Sequence, residues 1–254
     1  MEINDIFNRM DEWRHLPDWQ LERRADLFFS LYLKEVMEKR FKVGIKDTII
    51  PEFPLLINPK GNEKQTNRTN KVDYAIFSDE DNPRCYLIEL KTDMKSIDPE
   101  QLEYLENAEK KDLSTLVMEL KSVFESTCEK RKYLNLFESL HKVGLVKFKS
   151  QQNAIQKYST WNQVFEDIEV ATIKNNPTIV YIQPRPDGGK LKKPDSFLTI
   201  TFTEFTDALL GHNDSFTPRF RRSLTNWARV KAGDSDYVKS CLGFYRNNIS
   251  SDST

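Results

Sequence analysis

The sequence predicts an α/β fold with a central mixed β-sheet flanked by helices, and three observations predict it. Short runs of β-branched and aromatic residues at 72–77 (VDYAIF) and 85–91 (CYLIELK) lie back to back around a polar, Pro-containing stretch, and so form a hairpin. Two more compact apolar runs, 178–182 (TIVYI) and 197–202 (FLTITF), come only after residues 101–141, whose apolar side chains recur at three- and four-residue spacing. Residues 19–41 carry the same helical spacing ahead of the first strand. Helix, strands, helices, strand, turn, strand, helix is an alternation that covers a sheet on its faces.

Taken in order, residues 1–17 are polar with apolar anchors at Ile3, Ile6, Phe7, Met10 and Trp13, which predicts a short helix packed on the body. Pro17 and Asp18 start the next helix, with Asp18 as N-cap. Leu21, Ala25, Phe28, Leu31 or Tyr32, and Val36 or Met37 then make one long amphipathic helix, with Arg23, Arg24, Lys34, Lys39 and Arg40 on its solvated face and Gly44 at its end. Residues 45–57 are extended, and Pro51 and Pro54 make them a partly edge strand. The polar run 58–70, with Lys60, Lys64 and Arg68, is a loop leading into the strand that holds Asp73.

After Lys91 the chain turns, and Asp98-Pro99 opens a helical stretch, in two pieces, that runs to about 141. Residues 144–159 form a connector and 161–172 a helix; the strand at 178–182 is stopped by PRPDGG at 184–189, and a short helix follows at 205–210. No linker, repeat or low-complexity segment divides the chain. The reading is one domain over 1–254, with a core at about 18–210 and a C-terminal basic helical extension at 211–254.

A chain of 254 residues can bury a substantial core. Its formal net charge of −1 with 30% charged residues means that affinity for nucleic acid must come from local patches. Cys85, Cys128 and Cys241 are widely spaced, without zinc-ligand spacing, and are expected as reduced thiols of a cytoplasmic protein. No apolar run is long enough for a membrane span, and the first residues lack a signal-peptide pattern, so no membrane partner is expected.

The second run of the hairpin carries the chemistry. Strand alternation puts Cys85, Leu87, Glu89 and Lys91 on one face and Tyr86, Ile88 and Leu90 on the other. Glu89 and Lys91 alone read as an ion pair at a solvated strand end. Asp73 on the neighbouring run changes this, because two carboxylates and an ammonium in one small volume suit a hard divalent cation with an activated water.

Asp73, followed sixteen residues later by Glu89-Leu90-Lys91, each acid after an apolar strand, resembles the PD-(D/E)XK nuclease superfamily. Val72 stands where the motif's name has proline. Gln101 and Tyr104, at the start of the next helix, are similar to the Gln and Tyr of some branches of that superfamily. The resemblance implies a restriction-endonuclease-like core and a metal-dependent nuclease that hydrolyses phosphodiester bonds, in DNA. Mg²⁺ (or Mn²⁺) would be held by Asp73, Glu89 and the Leu90 carbonyl, with Lys91 orienting or deprotonating water or steadying the transition state, and Gln101 and Tyr104 positioning substrate or water. The resemblance further suggests an acid from the first helix; Glu22, Asp26 and Glu35 are the candidates. A strand returning along that helix brings its beginning near Asp73, which favours Glu22.

Nucleic acid also requires counter-charge. Residues 216–233 hold Arg219, Arg221, Arg222, Arg229 and Lys231 with no acid among them, interleaved with Phe220 and Trp227; Arg185, Lys190, Lys192 and Lys193 form a second basic set. A homodimer or a partner protein stays open. The alternative is an inactive nuclease fold serving as a nucleic-acid-binding or interaction module, against which the intact Asp73, Glu89 and Lys91 argue. His15, His141 and His212 lie in unrelated contexts, and there is no glycine-rich phosphate loop, which disfavours Ser/His or Cys/His catalysis and an ATPase motor.

Overall fold

The computed structural model describes residues 3–14, 16, 20–57, 69–93, 98–150, 160–186 and 193–229. The N-cap expected at Asp18, the loop at 58–68, His15, Lys190, Lys192, Lys231 and Cys241 lie outside them. In chain order the elements are α1 (Ile3–Trp13), α2 (Leu21–Ser30), α3 (Leu33–Phe41), β1 (Ile50–Leu56), β2 (Thr69–Phe77), β3 (Cys85–Leu90), α4 (Pro99–Glu109), α5 (Leu113–Ser126) and α6 (Lys130–Lys142). Then follow β4 (Val146–Phe148), α7 (Trp161–Asp167), β5 (Ile168–Val170), β6 (Thr178–Gln183), β7 (Leu198–Thr201), α8 (Phe202–Ala208) and α9 (Thr217–Arg229).

Five strands make one mixed sheet in the order β1-β2-β3-β6-β7. The hairpin supplies the antiparallel half, β1 to β2 and β2 to β3, while β6 and β7 add in parallel. The proline-bearing β1 is an edge strand, as its missing N–H donors require. Alternation along the strands feeds two cores: Ala75, Leu87, Ile179 and Tyr181 pack under α4, α5 and α6, and Ile76, Ile88, Val180 and Ile200 pack under α1, α2, α3, α8 and α9. The fold is therefore α/β, a five-stranded mixed sheet between two helical layers. Among the described residues no helix is long and apolar enough to cross a membrane.

Local chemistry sets the helix starts. Asp98 accepts from the Glu100 N–H (2.9 Å) with Pro99 in the first turn of α4, Asp112 caps α5 through Thr115, and Thr201 with Glu204 forms a capping box on α8.

The expected long helix at 19–41 is two helices. The Ser30 hydroxyl turns back on the Leu27 carbonyl (2.7 Å), and Tyr32 bonds the Thr217 hydroxyl (2.6 Å) and stacks on Phe220, so the axis breaks and both Phe29 and Leu33 reach the core. The second piece ends at Phe41 with Lys42 in the left-handed region (φ 53°), not at Gly44. Residues 101–141 form three helices instead of two, because Asp112 begins a new one and Thr127 closes it in extended conformation. A short β4–β5 ladder replaces part of the connector and the end of the helix expected at 161–172; periodicity does not register three-residue strands.

Helix α9 also departs from the expected extension: Phe220, Leu224 and Trp227 are buried in the second core, and Phe220 lies in an aromatic cluster with Phe7, Phe29 and Tyr32. It is a layer of the fold. Phe220→Ala should therefore cost about 3–5 kcal/mol, against less than about 0.5 kcal/mol for Arg222→Ala on its exposed side. Urea denaturation of the two variants checks this; equal midpoints would detach α9 from the core.

Candidate active site

The site forms where the two central strands part. Pairing of β2 with β3 runs from Phe77↔Cys85 to Tyr74↔Ile88 and ends there; beyond it, β2 is paired to β1 and β3 to β6. One further step of that register sets Asp73 opposite Glu89. The fork is spanned by a side chain: Asp73 Oδ2 accepts from the Leu90 N–H at 2.6 Å, taking the place of a main-chain acceptor. N–H and C=O of one strand residue point to the same neighbour, so the Leu90 carbonyl turns toward the same opening.

The edge strand takes part in the distortion. Glu52, level with Asp73 in the β1–β2 register, has φ 51°, an unusual left-handed conformation for a residue with a side chain. Ile50 and Phe53 face the same core despite their odd spacing, as do their partners Ala75 and Val72. Both strands change face at the Glu52–Asp73 step.

Around the fork the polar side chains converge. Lys91, 4% exposed, donates to Glu89 Oε1 at 2.8 Å and stands 3.7 Å from Glu22 Oε1. Gln101, from the first turns of α4, donates to the same Glu89 oxygen. Tyr104, one turn on, donates to the Lys71 carbonyl at 3.1 Å. Glu89 is 2% exposed, and its Oε2 has no hydrogen-bond partner among the described residues; neither do Gln101 Oε1 and the Tyr181 hydroxyl. Tyr181 pairs with Glu89 across β3 and β6 and was not singled out by the sequence reading. Its signal, a tyrosine inside an apolar run, does not differ from that of a core aromatic.

Burial dominates the electrostatics. It raises the Asp73 carboxyl to about 6, partly opposed by the Leu90 N–H. Burial and then the neighbouring Asp73 charge push the Glu89 carboxyl up to about 8, although Lys91 pulls it back. Burial lowers the Lys91 ammonium, but Glu89, Glu22 and Asp73 together outweigh it and the net shift is upward, which keeps the lysine charged. Burial also raises Glu22 and the hydroxyls of Tyr104 and Tyr181. The pocket holds more carboxylate than its single ammonium balances, and it answers by keeping protons.

Of the three helix acids, Glu22 is the one brought to the site. Asp26 Oδ1 accepts from the adjacent Leu27 N–H, and Glu35 is bound to Lys39 and His212. Glu22 contacts Lys91 and its charge acts on both Asp73 and Glu89, while among the described residues no three His, Cys, Asp or Glu side chains form a metal cage.

The basic residues divide. Arg219 is turned inward, donating to Asp11 (2.8 Å), Asn8 (2.9 Å) and Ser223 (2.6 Å) over the Phe7 ring, and so ties α9 to α1 instead of facing a ligand. Arg221 lines an open cavity of about 940 Å³ with Arg185, Glu204 and Asp207 at the end of β6, and Arg222 is exposed. The Arg229 side chain and Lys231 lie outside the described residues. Comparison of the chain with protein-family models, curated proteins and solved structures finds no match in any of the three.

The raised carboxyls carry a sign. Both bind protons more tightly folded than unfolded, so their contribution to stability is complete below the ordinary carboxylate range and is lost as pH rises through about 6 and then about 8. Glu89→Gln, which mimics the protonated form, should lift Tm relative to the parent increasingly between about pH 5 and pH 9 in EDTA, by roughly 2–4 °C for each kcal/mol relieved. A Tm difference that stays flat across that range would contradict the burial of an excess negative charge.

Proposed function

We propose that the protein is a metal-dependent nuclease hydrolysing phosphodiester bonds in DNA, built on a restriction-endonuclease-like core. The observation that supports this most directly is the meeting of Asp73 and Glu89 at the fork, with Glu89 Oε2 buried and unpartnered and the Lys91 ammonium beside it. Mg²⁺ or Mn²⁺ fits such a donor set, since a hard cation takes carboxylate and carbonyl oxygens and is satisfied by one or two carboxylates with retained waters. Asp73, Glu89 and the Leu90 carbonyl would hold it. When bound it supplies charge neutralisation at the phosphate and an activated water.

The protein's own residues do the rest. Gln101 and Lys91 both occupy Glu89 Oε1, which fixes the carboxylate and leaves Oε2 for another partner. Glu22 and Glu89 keep Lys91 charged, so it acts by stabilising negative charge on the phosphate, not as a base. Gln101 and Tyr104, on one side of α4 and bonded to Glu89 and to the Lys71 carbonyl, would orient substrate or water. A cytoplasmic location belongs to the same reading.

Incubation with linear, circular and single-stranded DNA and with RNA, in Mg²⁺, Mn²⁺ or EDTA, tests it. Cleavage is expected with either ion and not in EDTA, and Glu89→Ala and Lys91→Ala should each lower it by on the order of 10²–10³-fold with circular dichroism unchanged. Undiminished metal-dependent cleavage in either variant would defeat the assignment, and binding without cleavage by the parent protein would favour the inactive binding module.

A further inference from the structure

The polar residues at the fork continue across the sheet. In the parallel half, Glu89 is level with Tyr181 and Tyr181 with Thr199; two residues on, Lys91, whose N–H bonds the Ile182 carbonyl, is level with Gln183, and Gln183 with Thr201. These residues lie at the carboxyl ends of β3, β6 and β7, the end of parallel strands at which α/β proteins bind ligands.

Lys193 sits on this row. Its ammonium donates to Gln183 Oε1 (2.8 Å) and Thr199 Oγ1 (2.7 Å) and lies 4.8 Å from the centre of the Tyr181 ring. Gln183 is fully buried and its amide is fixed, since Nε2 donates to the carbonyls of Arg185 (2.5 Å) and Pro186 (3.3 Å), so Oε1 can only face the lysine. These three groups around the ammonium are all neutral, and no ion pair to an acid joins them among the described residues. Taking a cation out of water without an anion is costly, and burial lowers this ammonium to about 8. Pinning the chain before β7 does not require a charge: a neutral donor reaches an amide oxygen and a hydroxyl equally well. Two of the three ammonium donors are used, which leaves one for an anionic oxygen.

We propose that Lys193 is a second phosphate anchor, binding the backbone phosphate next to the one at Glu89. Straddling β6 and β7, it stands one to two strand spacings from Glu89, roughly 5–10 Å, a distance that one step of a nucleic-acid backbone spans. The buried Tyr181, whose hydroxyl has no hydrogen-bond partner among the described residues, lies between the two positions in the register.

This rests on the nuclease reading, and the test separates the two. Binding of a short fluorescein-labelled thymidine oligonucleotide is followed by anisotropy in Ca²⁺ over a range of salt, for the parent protein and Lys193→Gln. The variant should bind about 3–10-fold more weakly, and the slope of log affinity against log salt should fall by about 0.7, the share of one single-strand phosphate contact. In Mg²⁺, KM should rise with kcat nearly unchanged. Equal affinities, or a loss of affinity with an unchanged salt slope, as a merely structural change would give, overturn the proposal. Failure of the parent protein to cleave any substrate overturns the nuclease reading alone, because the anisotropy comparison does not depend on cleavage.

Discussion

The hydrogen bond from the Leu90 N–H to Asp73 Oδ2 is the constraint from which the site follows. A central strand pair cannot separate inside a protein without leaving main-chain donors and acceptors unpaired, at a cost comparable to a lost hydrogen bond each. Here a carboxylate takes over one of those donors, and a charge-assisted bond is stronger than the neutral one it replaces. The separation is thereby stable, and it exposes between β2 and β3 a gap lined by a carboxylate from each strand. Substituting an apolar residue at position 73 would remove the group that satisfies the gap and, on the proposed reading, a metal donor as well, so that reading has one side chain serve structure and chemistry together.

The surroundings fix how the gap is used. Glu22 reaches Lys91 from the layer of α2, and Gln101 reaches Glu89 from α4 in the opposite layer. Neither core alone contains the site; it lies where the two layers meet, at the carboxyl ends of β3 and β6. The charge balance suits a pocket that is completed by a cation. Glu89, raised further than Asp73 by burial and by the Asp73 charge, is the carboxyl that holds its proton longest, and on the proposed reading a bound cation would displace that proton and link metal affinity to pH.

Much of this was legible in the sequence because it is written in alternation. The 72–77 and 85–91 runs place Glu89 and Lys91 on one face, and the structure keeps Leu87 in one core with Ile88 and Leu90 in the other. Asp98-Pro99 marks the start of α4, and that start puts Gln101 and Tyr104 on a shared side. What was not legible depends on tertiary partners. The break between α2 and α3 comes from Tyr32 meeting Thr217, 185 positions away in sequence. Arg219, read from the sequence as counter-charge for nucleic acid, is drawn inward by Asp11 and Asn8. A run of basic residues on an amphipathic helix does not say which of them its buried stripe draws inward.

Glu52 shows why the hairpin register alone could not have predicted the fork. A left-handed residue at an edge strand costs about 1–3 kcal/mol, and neither the prolines at 51 and 54 nor any glycine announces it. Its position opposite Asp73 gives it a reason. By turning β1 at that step, it lets β2 follow β1 through the change of face, so that Val72 stays in the core while Asp73 swings to the gap. Glu52 is itself exposed and paired with Lys71, the residue whose carbonyl receives the Tyr104 hydroxyl. The strained edge and the far side of the site are thus joined through Lys71 of β2, and the geometry at Asp73 is set from the edge of the sheet as well as from its centre.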